Sequence, residues 1–209
     1  NSTAACSLVA SKLHIKVCHY EAGLRSRDRE MPEEINRLVT DAITDLFITT
    51  SADASENLIA EGKNADQIHM LGNLMIDSLV SHLELAKSQQ LSLQDISGSS
   101  LDLSWKTEMT PYAVMTFHRP SNVDDQETLS ILVDQWLKTA ELLPIIFPIH
   151  PRTLGMLEKY KFLDALTSAP NIHLTGPLAY LDFLKLTSES ALVITDSGGI
   201  QEETTYLKI

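Results

Sequence analysis

The stretch Glu21–Arg37, EAGLRSRDREMPEEINR, decides how this chain folds. It leaves Ile15–Tyr20, a short apolar segment rich in strand formers, turns at Gly23 and starts a helix at Pro32. Proline suits the first helical position, and Glu33 and Glu34 place negative charge where the first-turn N–H groups carry partial positive charge. Ile35, Leu38, Val39, Ala42 and Ile43 then follow helical spacing and predict one apolar stripe, with Glu33 and Arg37 together on the opposite face. A solvated face with an ordinary ion pair is one reading of that arrangement. The other is a site, because Glu21 and Arg25 leave a strand through a glycine turn, where α/β proteins often place function.

Outward from this stretch the same alternation repeats. Asn1–Leu13 reads as a buried helix and Ile15–Tyr20 as an inner strand. The helix begun at Pro32 is expected to run to about Asp45. Leu46–Thr49 follows as a strand, then a helix from Ser51 to Ala60 ended at Gly62, and a strand at Ile68–Leu71. A helix over Met75–Lys87 precedes a stretch rich in Ser, Gln and Asp that reads as a domain boundary. The second half predicts strands at Tyr112–Thr116, Ile145–Ile149, Asn171–Leu174 and Ala191–Thr195. Helices are expected at Gln126–Leu142, Leu154–Phe162, Tyr180–Leu186 and from Gly198. Strand–helix alternation of this kind implies an α/β fold with two doubly wound, Rossmann-like parallel sheets. The expected domains are residues 1–88, a linker at 89–108, and 109–209.

Composition narrows the function. The chain has 209 residues, 44% of them hydrophobic, which is enough for one large core or two small ones. A net charge of −12 argues against nucleic acid or an anionic membrane surface as the main partner. Cys6 and Cys18 have neither metal-site nor disulfide-framework spacing, so free thiols and a cytoplasmic address are expected. No apolar run reaches membrane-spanning length. The chain begins at Asn1 without a methionine and stops at Ile209 directly after a helix with no closing strand, so a fragment of a longer protein is expected.

Three constellations sit at predicted strand ends. Asp196-Ser197-Gly198-Gly199 follows a strand and opens a helix, where exposed N–H groups favour a phosphate; a capped turn without ligand is the plain alternative. Glu203, further along that helix, is suited to accept hydrogen bonds from neighbouring ribose hydroxyls. The pattern is neither a Walker loop nor G-x-G-x-x-G, so ATP hydrolysis and NAD binding are not supported. His118-Arg119 and His150-Pro151-Arg152 follow two successive strands and place cationic donors on one rim. Zinc is the rival explanation, but no ligand spacing supports a metal. The other histidines, Trp105 and Trp136 read as ordinary surface or packing residues.

HYEAGLRSRDREMPEEINR, TFHRPSNVD, the HPR segment, GPLAYLDF and TDSGGIQEE, in this order, resemble the non-hydrolysing UDP-N-acetylglucosamine 2-epimerases. The resemblance runs almost end to end. It implies a glycosyltransferase-B-like architecture, both domains incomplete, with two Rossmann-like domains facing across a cleft and the nucleotide held mainly by the second. It also implies interconversion of UDP-GlcNAc and UDP-ManNAc, no cofactor, and a homodimer. The family route eliminates UDP across C1 and C2 to a 2-acetamidoglucal and adds UDP back with the opposite C2 configuration. Such a path needs carboxylates near the sugar and cations near the departing diphosphate.

By motif match, Glu21, Glu33 and His118 are the catalytic residues. Arg37, His150, Phe183, Ser197, Gly198 and Glu203 are the substrate-binding ones, with Ser197 and Gly198 cradling the diphosphate, Glu203 on the ribose and Phe183 on the nucleoside. The family's catalytic aspartate belongs to a Gly-Asp pair that would fall just before Asn1. Many members read His-Arg-Arg-Glu-Asn where this chain has His118-Arg119-Pro120-Ser121-Asn122. The alternatives are a hydrolysing relative releasing ManNAc and UDP, a glycosyltransferase of the same fold, and a UDP-sugar-binding protein without turnover.

Overall fold

The computed structural model describes residues 1–103, 106 and 110–209; Trp105 and part of the expected linker lie outside them. The chain divides into two compact units, Asn1–Leu74 and Met75–Ile209.

Unit 1 contains α1 (Ser2–Lys12), β1 (Cys18–Tyr20), α2 (Pro32–Ala42), β2 (Leu46–Thr49), α3 (Ala52–Ala60) and β3 (Ile68–Met70). Its strands are parallel in the order β1-β2-β3, with Cys18 opposite Leu46 and Phe47 opposite Ile68. Ala22, Phe47 and Leu58 form its buried centre, with Ile68 packed against them.

The helix expected to be buried, α1, buries only Ser7 and leaves Leu8, Val9 and Leu13 exposed, and two further expectations for this unit are corrected. The strand expected inside the sheet over Ile15–Tyr20 is a three-residue edge strand, and Ile15 is exposed. Pairing starts late because Val17 is already engaged: its N–H goes to the Asp45 carboxylate, and its C=O accepts the N–H groups of Asp45 and Leu46. The second correction concerns α2. Its expected apolar stripe does not face the core, since Ile35 and Val39 are exposed while Glu34, Thr40 and Asp41 are buried. The helix docks through its polar side, where buried carboxylates collect N–H groups from the β1–α2 turn.

Unit 2 contains α4 (Leu74–Ser88, which begins one residue before it), β4 (Ala113–Thr116), the one-turn α5 (Pro120–Val123) and α6 (Gln126–Ala140). β5 (Ile145–Pro148), α7 (Pro151–Lys159), α8 (Leu163–Thr167), β6 (Ile172–Thr175), α9 (Tyr180–Ser188), β7 (Leu192–Thr195) and α10 (Gly198–Leu207) complete it. The expected boundary falls at the end of α4, whereas the compact units divide at its start. The reason is packing: Leu79 and Ala86 of α4 share a buried cluster with Leu184 of α9, flanked by Leu207 of α10. Within the expected linker, Leu93 is buried against Tyr112, Val114, Ile146 and Leu186. His150 caps α7, which begins at Pro151 where a loop to Thr153 was expected.

The four strands of unit 2 are parallel in the order β6-β5-β4-β7. Alternating residues feed the two faces. Ala113, Met115, Ile145 and Phe147 enter a core with Leu129, Val133 and Trp136 of α6 and Leu157 of α7, while Val114 and Ile146 face the other side. From β4 the chain winds outward to β6, then crosses back to place β7 on the other side of β4. That reversal lies between β4 and β7, and the crevice outside such a switch point is where open parallel sheets bind ligands.

Candidate functional site

In unit 1 the turn after β1 is held by a chain of buried charges. Glu21 adopts φ +65°, a left-handed conformation that non-glycine residues rarely occupy, and Gly23 follows at φ +80°. A side chain at Gly23 would meet the Ala54 carbonyl oxygen at 2.2 Å, so the close approach of the turn to α3 requires glycine. Asp41, fully buried, accepts the Gly23 N–H at 3.1 Å and Arg25 Nη2 at 2.8 Å, and pairs with His19 Nδ1 at 2.5 Å. Arg25 is held in turn by both oxygens of Glu61, at 2.6 and 2.8 Å. Burial opposes ionisation of Asp41, but the bonds from His19, Arg25 and Gly23 outweigh it and hold the carboxyl below its ordinary value. Glu34 is shifted in the same direction against the same burial, by Ser26, Arg27 and Arg25.

This scaffold presents a polar pocket of about 230 Å³. Glu21, Glu33 and Arg37 line it together, with His19, Tyr20, Asn36 and Thr40 among their neighbours. Arg25, which with Glu21 forms the charged pair that leaves the strand through the glycine turn, is directed inward with a side chain 4% exposed.

In unit 2, β4 and β7 end side by side, with Thr116 opposite Thr195. Asp196 ties the two ends together. Its carboxylate accepts the N–H of His118 at 3.0 Å, the N–H of Arg119 at 2.8 Å and Asn122 Nδ2 at 3.1 Å, while Arg119 Nε donates to its carbonyl. Burial opposes ionisation of Asp196, yet these donors and the nearby His118 hold its carboxyl below the ordinary range. The His118 ring lies 5.7 Å from that of His150, whose Nδ1 accepts the Arg152 N–H, so a neutral His150 ring carries its proton on Nε2.

His118, His150 and Phe183 line a pocket of about 420 Å³ with Phe117, Pro177, Leu178 and Ile200. That size and largely apolar wall suit a small organic ligand. Ser197, Gly198 and Glu203 are not among its lining residues. Ser197 and Gly198 stand at the start of α10, where Ser197 makes no side-chain cap. Among the described residues the N–H groups of Gly198, Gly199 and Ile200 have no acceptor. Glu203 is 8% exposed and no hydrogen-bond donor reaches its carboxylate among the described residues; burial pushes its pKa up. The described residues hold no cluster of three or more His, Cys, Asp or Glu placed for a metal ion, and no helix long and apolar enough to cross a membrane.

The sequence model of the UDP-N-acetylglucosamine 2-epimerases matches residues 1–209, the whole chain. The chain belongs to the UDP-N-acetylglucosamine 2-epimerase family. It is 40% identical over 209 residues to a UDP-N-acetylglucosamine 2-epimerase homolog of Methanococcus maripaludis, covering all of this chain and 56% of that protein. It is 39% identical over 211 residues to the UDP-N-acetylglucosamine 2-epimerase of Methanocaldococcus jannaschii, again with 100% and 56% covered. The crystal structure of the M. jannaschii epimerase in complex with UDP-GlcNAc and UDP superposes with a TM-score of 0.81 at 37% identity, covering 99% of this chain and 55% of that one. The chain thus spans about half the length of the epimerases it matches, and its α/β fold is theirs.

Within this family chain, sequence reasoning missed the residues that hold the site. In the sequence Asp196 reads only as part of a phosphate motif, although an acid directly after a strand and before Ser-Gly-Gly is placed to gather N–H groups from the neighbouring strand end. His19 heads the HYEAGL motif, but its pairing with Asp41 carries no sequence signal, because the two are 22 residues apart and meet only when β1 and α2 pack.

Proposed function

We propose that the whole protein carries out C2 epimerisation of UDP-N-acetylglucosamine to UDP-N-acetylmannosamine, by eliminating and re-adding UDP through 2-acetamidoglucal. The observation that carries this reading is the grouping of Glu21, Glu33 and Arg37 around one polar pocket in a chain of this family. In the proposed chemistry the electrons of the C2–H bond form the C1–C2 double bond of the glucal. The C1–O bond breaks with its pair leaving on UDP. A carboxylate takes the C2 proton, and the reverse step returns a proton to the opposite face.

Glu21 and Glu33 serve as proton-transfer and charge-stabilising groups on the sugar, and Arg37 binds at the same place. His118 acts near the departing diphosphate, with His150 beside it. Ser197, through its hydroxyl, and Gly198, through its free N–H, cradle the diphosphate, Phe183 packs on the nucleoside, and the underused carboxylate of Glu203 accepts from the ribose hydroxyls. The residues need no cofactor for this chemistry. The reading extends to a cytoplasmic homodimer with no nucleic-acid partner, in keeping with a net charge of −12. Product analysis of the whole protein with UDP-GlcNAc tests it: UDP-ManNAc is expected. Free ManNAc with UDP would establish a hydrolysing enzyme, and binding without turnover would leave a UDP-sugar-binding protein.

A further inference from the structure

His19 lies in the unit 1 pocket beside Glu21 and Glu33, and its side chain is 11% exposed. Its Nδ1 meets Asp41 Oδ1 at 2.5 Å. The other Asp41 oxygen already takes the Gly23 N–H and Arg25 Nη2, and Arg25 is locked by Glu61. Every neighbour of Asp41 offers it a proton or a positive charge, so the carboxylate stays ionised and can only accept. The proton between the two side chains therefore sits on Nδ1 of the ring. In the neutral ring Nε2 then carries a lone pair, and among the described residues no donor reaches it. A carboxylate behind an imidazole is the usual device for fixing which nitrogen a site sees.

We propose that His19 is a substrate-contacting residue of this pocket, its Nε2 accepting a hydrogen bond from a hydroxyl or amide N–H of the bound sugar, with Asp41 as the positioning residue that fixes the tautomer. The identity of the ligand rests on the proposed epimerase reading, whereas the tautomer does not. The pocket's other facing groups sharpen the assignment. Arg37 can only donate, and Asn36 Nδ2 gives one of its two N–H groups to Asn1 Oδ1 at 2.7 Å. Glu21 and Glu33 are claimed by the proton chemistry; beside the amide oxygen of Asn36 and the hydroxyls of Tyr20 and Thr40, His19 is the acceptor whose lone pair is held in place by a buried carboxylate.

Two measurements test this. Long-range proton–nitrogen NMR of the His19 ring in the protein is expected to show a protonated Nδ1 and a bare Nε2. The Nε2 signal should shift on adding UDP-GlcNAc but not UDP. A ring protonated on Nε2 would overturn the proposal. In the whole protein, His19→Asn keeps a donor toward Asp41 but has nothing at the Nε2 position, whereas His19→Gln places an oxygen there. KM for UDP-GlcNAc should rise about tenfold in His19→Asn and less in His19→Gln, with the Kd of UDP unchanged in both. A KM for His19→Asn within twofold of the parent, or an equal loss of UDP binding, would show a purely structural histidine. Should the parent turn over no UDP-GlcNAc, the epimerase reading fails by itself. The same variants' Kd ratio for UDP-GlcNAc against UDP then decides the His19 contact.

Discussion

Gly23→Ala should be among the most damaging single-methyl changes available in unit 1, and its cost can be worked out against an internal control. Gly23 and Gly62 adopt nearly the same left-handed conformation, φ +80° and +86°. Placing alanine in that conformation costs on the order of 1–2 kcal/mol at either position. The two differ in space. Around Gly62 a Cβ meets nothing within 4 Å, whereas at Gly23 it meets the Ala54 carbonyl oxygen at 2.2 Å, its carbon at 2.8 Å and Leu58 Cγ at 3.0 Å. Two of those atoms are backbone of α3, so relief requires the turn and the helix to part. Parting them strains the Gly23 N–H bond to Asp41 and the bond from Asn57 Nδ2 to the Gly23 carbonyl.

Overpacking of this kind adds roughly 1–3 kcal/mol, so Gly23→Ala should cost about 2–5 kcal/mol in all against 1–2 for Gly62→Ala. Because the chain has two units, a single melting curve does not isolate the effect; amide hydrogen exchange over β2 and α3 does. The amides of these elements should exchange at least about fivefold faster in Gly23→Ala than in Gly62→Ala, with peptides from β4 and β5 unchanged in both. Equal exchange in the two variants would refute the close approach of the turn to α3.

Other consequences follow from the buried acids, which have opposite signs. Burial raises the Glu203 pKa, so its stabilising contribution is present below the ordinary carboxylate range and is lost as pH rises through its folded value. Glu203→Gln should therefore slow amide exchange in α10 and β7 at neutral pH while weakening UDP binding by about tenfold or more, as seen by calorimetry; faster exchange there would contradict the burial argument. Asp41 is depressed, so its contribution is present above the ordinary carboxylate range and lost as pH falls through its folded value. Asp41→Asn should destabilise unit 1 at neutral pH and flatten its acid unfolding limb by hydrogen exchange; an unchanged limb would remove Asp41 from the acid response. Glu33→Gln in the whole protein should abolish turnover with UDP affinity nearly intact, and unchanged turnover would exclude Glu33 from the chemistry.

The alternation of strands and helices was readable because each segment carries a local signal: Leu46–Thr49 is found where its residues predict it, and Ile172–Thr175 lies within one residue of expectation. Helix α2 was legible in position but not in orientation. Its spacing shows where Ile35 and Val39 point relative to Glu34 and Asp41, yet not that buried hydrogen bonds turn the polar side inward. Burial of Leu93 was hidden for a related reason, since serine-rich surroundings mask a few apolar residues that fold back onto a sheet. Glu21, Glu33 and Arg37 were legible through their motif, and the structure brings them to one pocket. Asp41 and Asp196 were not, because an acid that serves as an anchor looks in sequence like any other acid until the N–H groups it gathers arrive from distant segments.

Proton exchange at C2 tests the account most directly. The whole protein is incubated with UDP-GlcNAc in D2O and the sugar followed by NMR. UDP-ManNAc carrying deuterium at C2 is expected, with deuterium also accumulating at C2 of the remaining UDP-GlcNAc as the reaction reverses. Recovery of UDP-GlcNAc with its C2 proton intact and no UDP-ManNAc would contradict the proposed function of the pocket around Glu21 and Glu33.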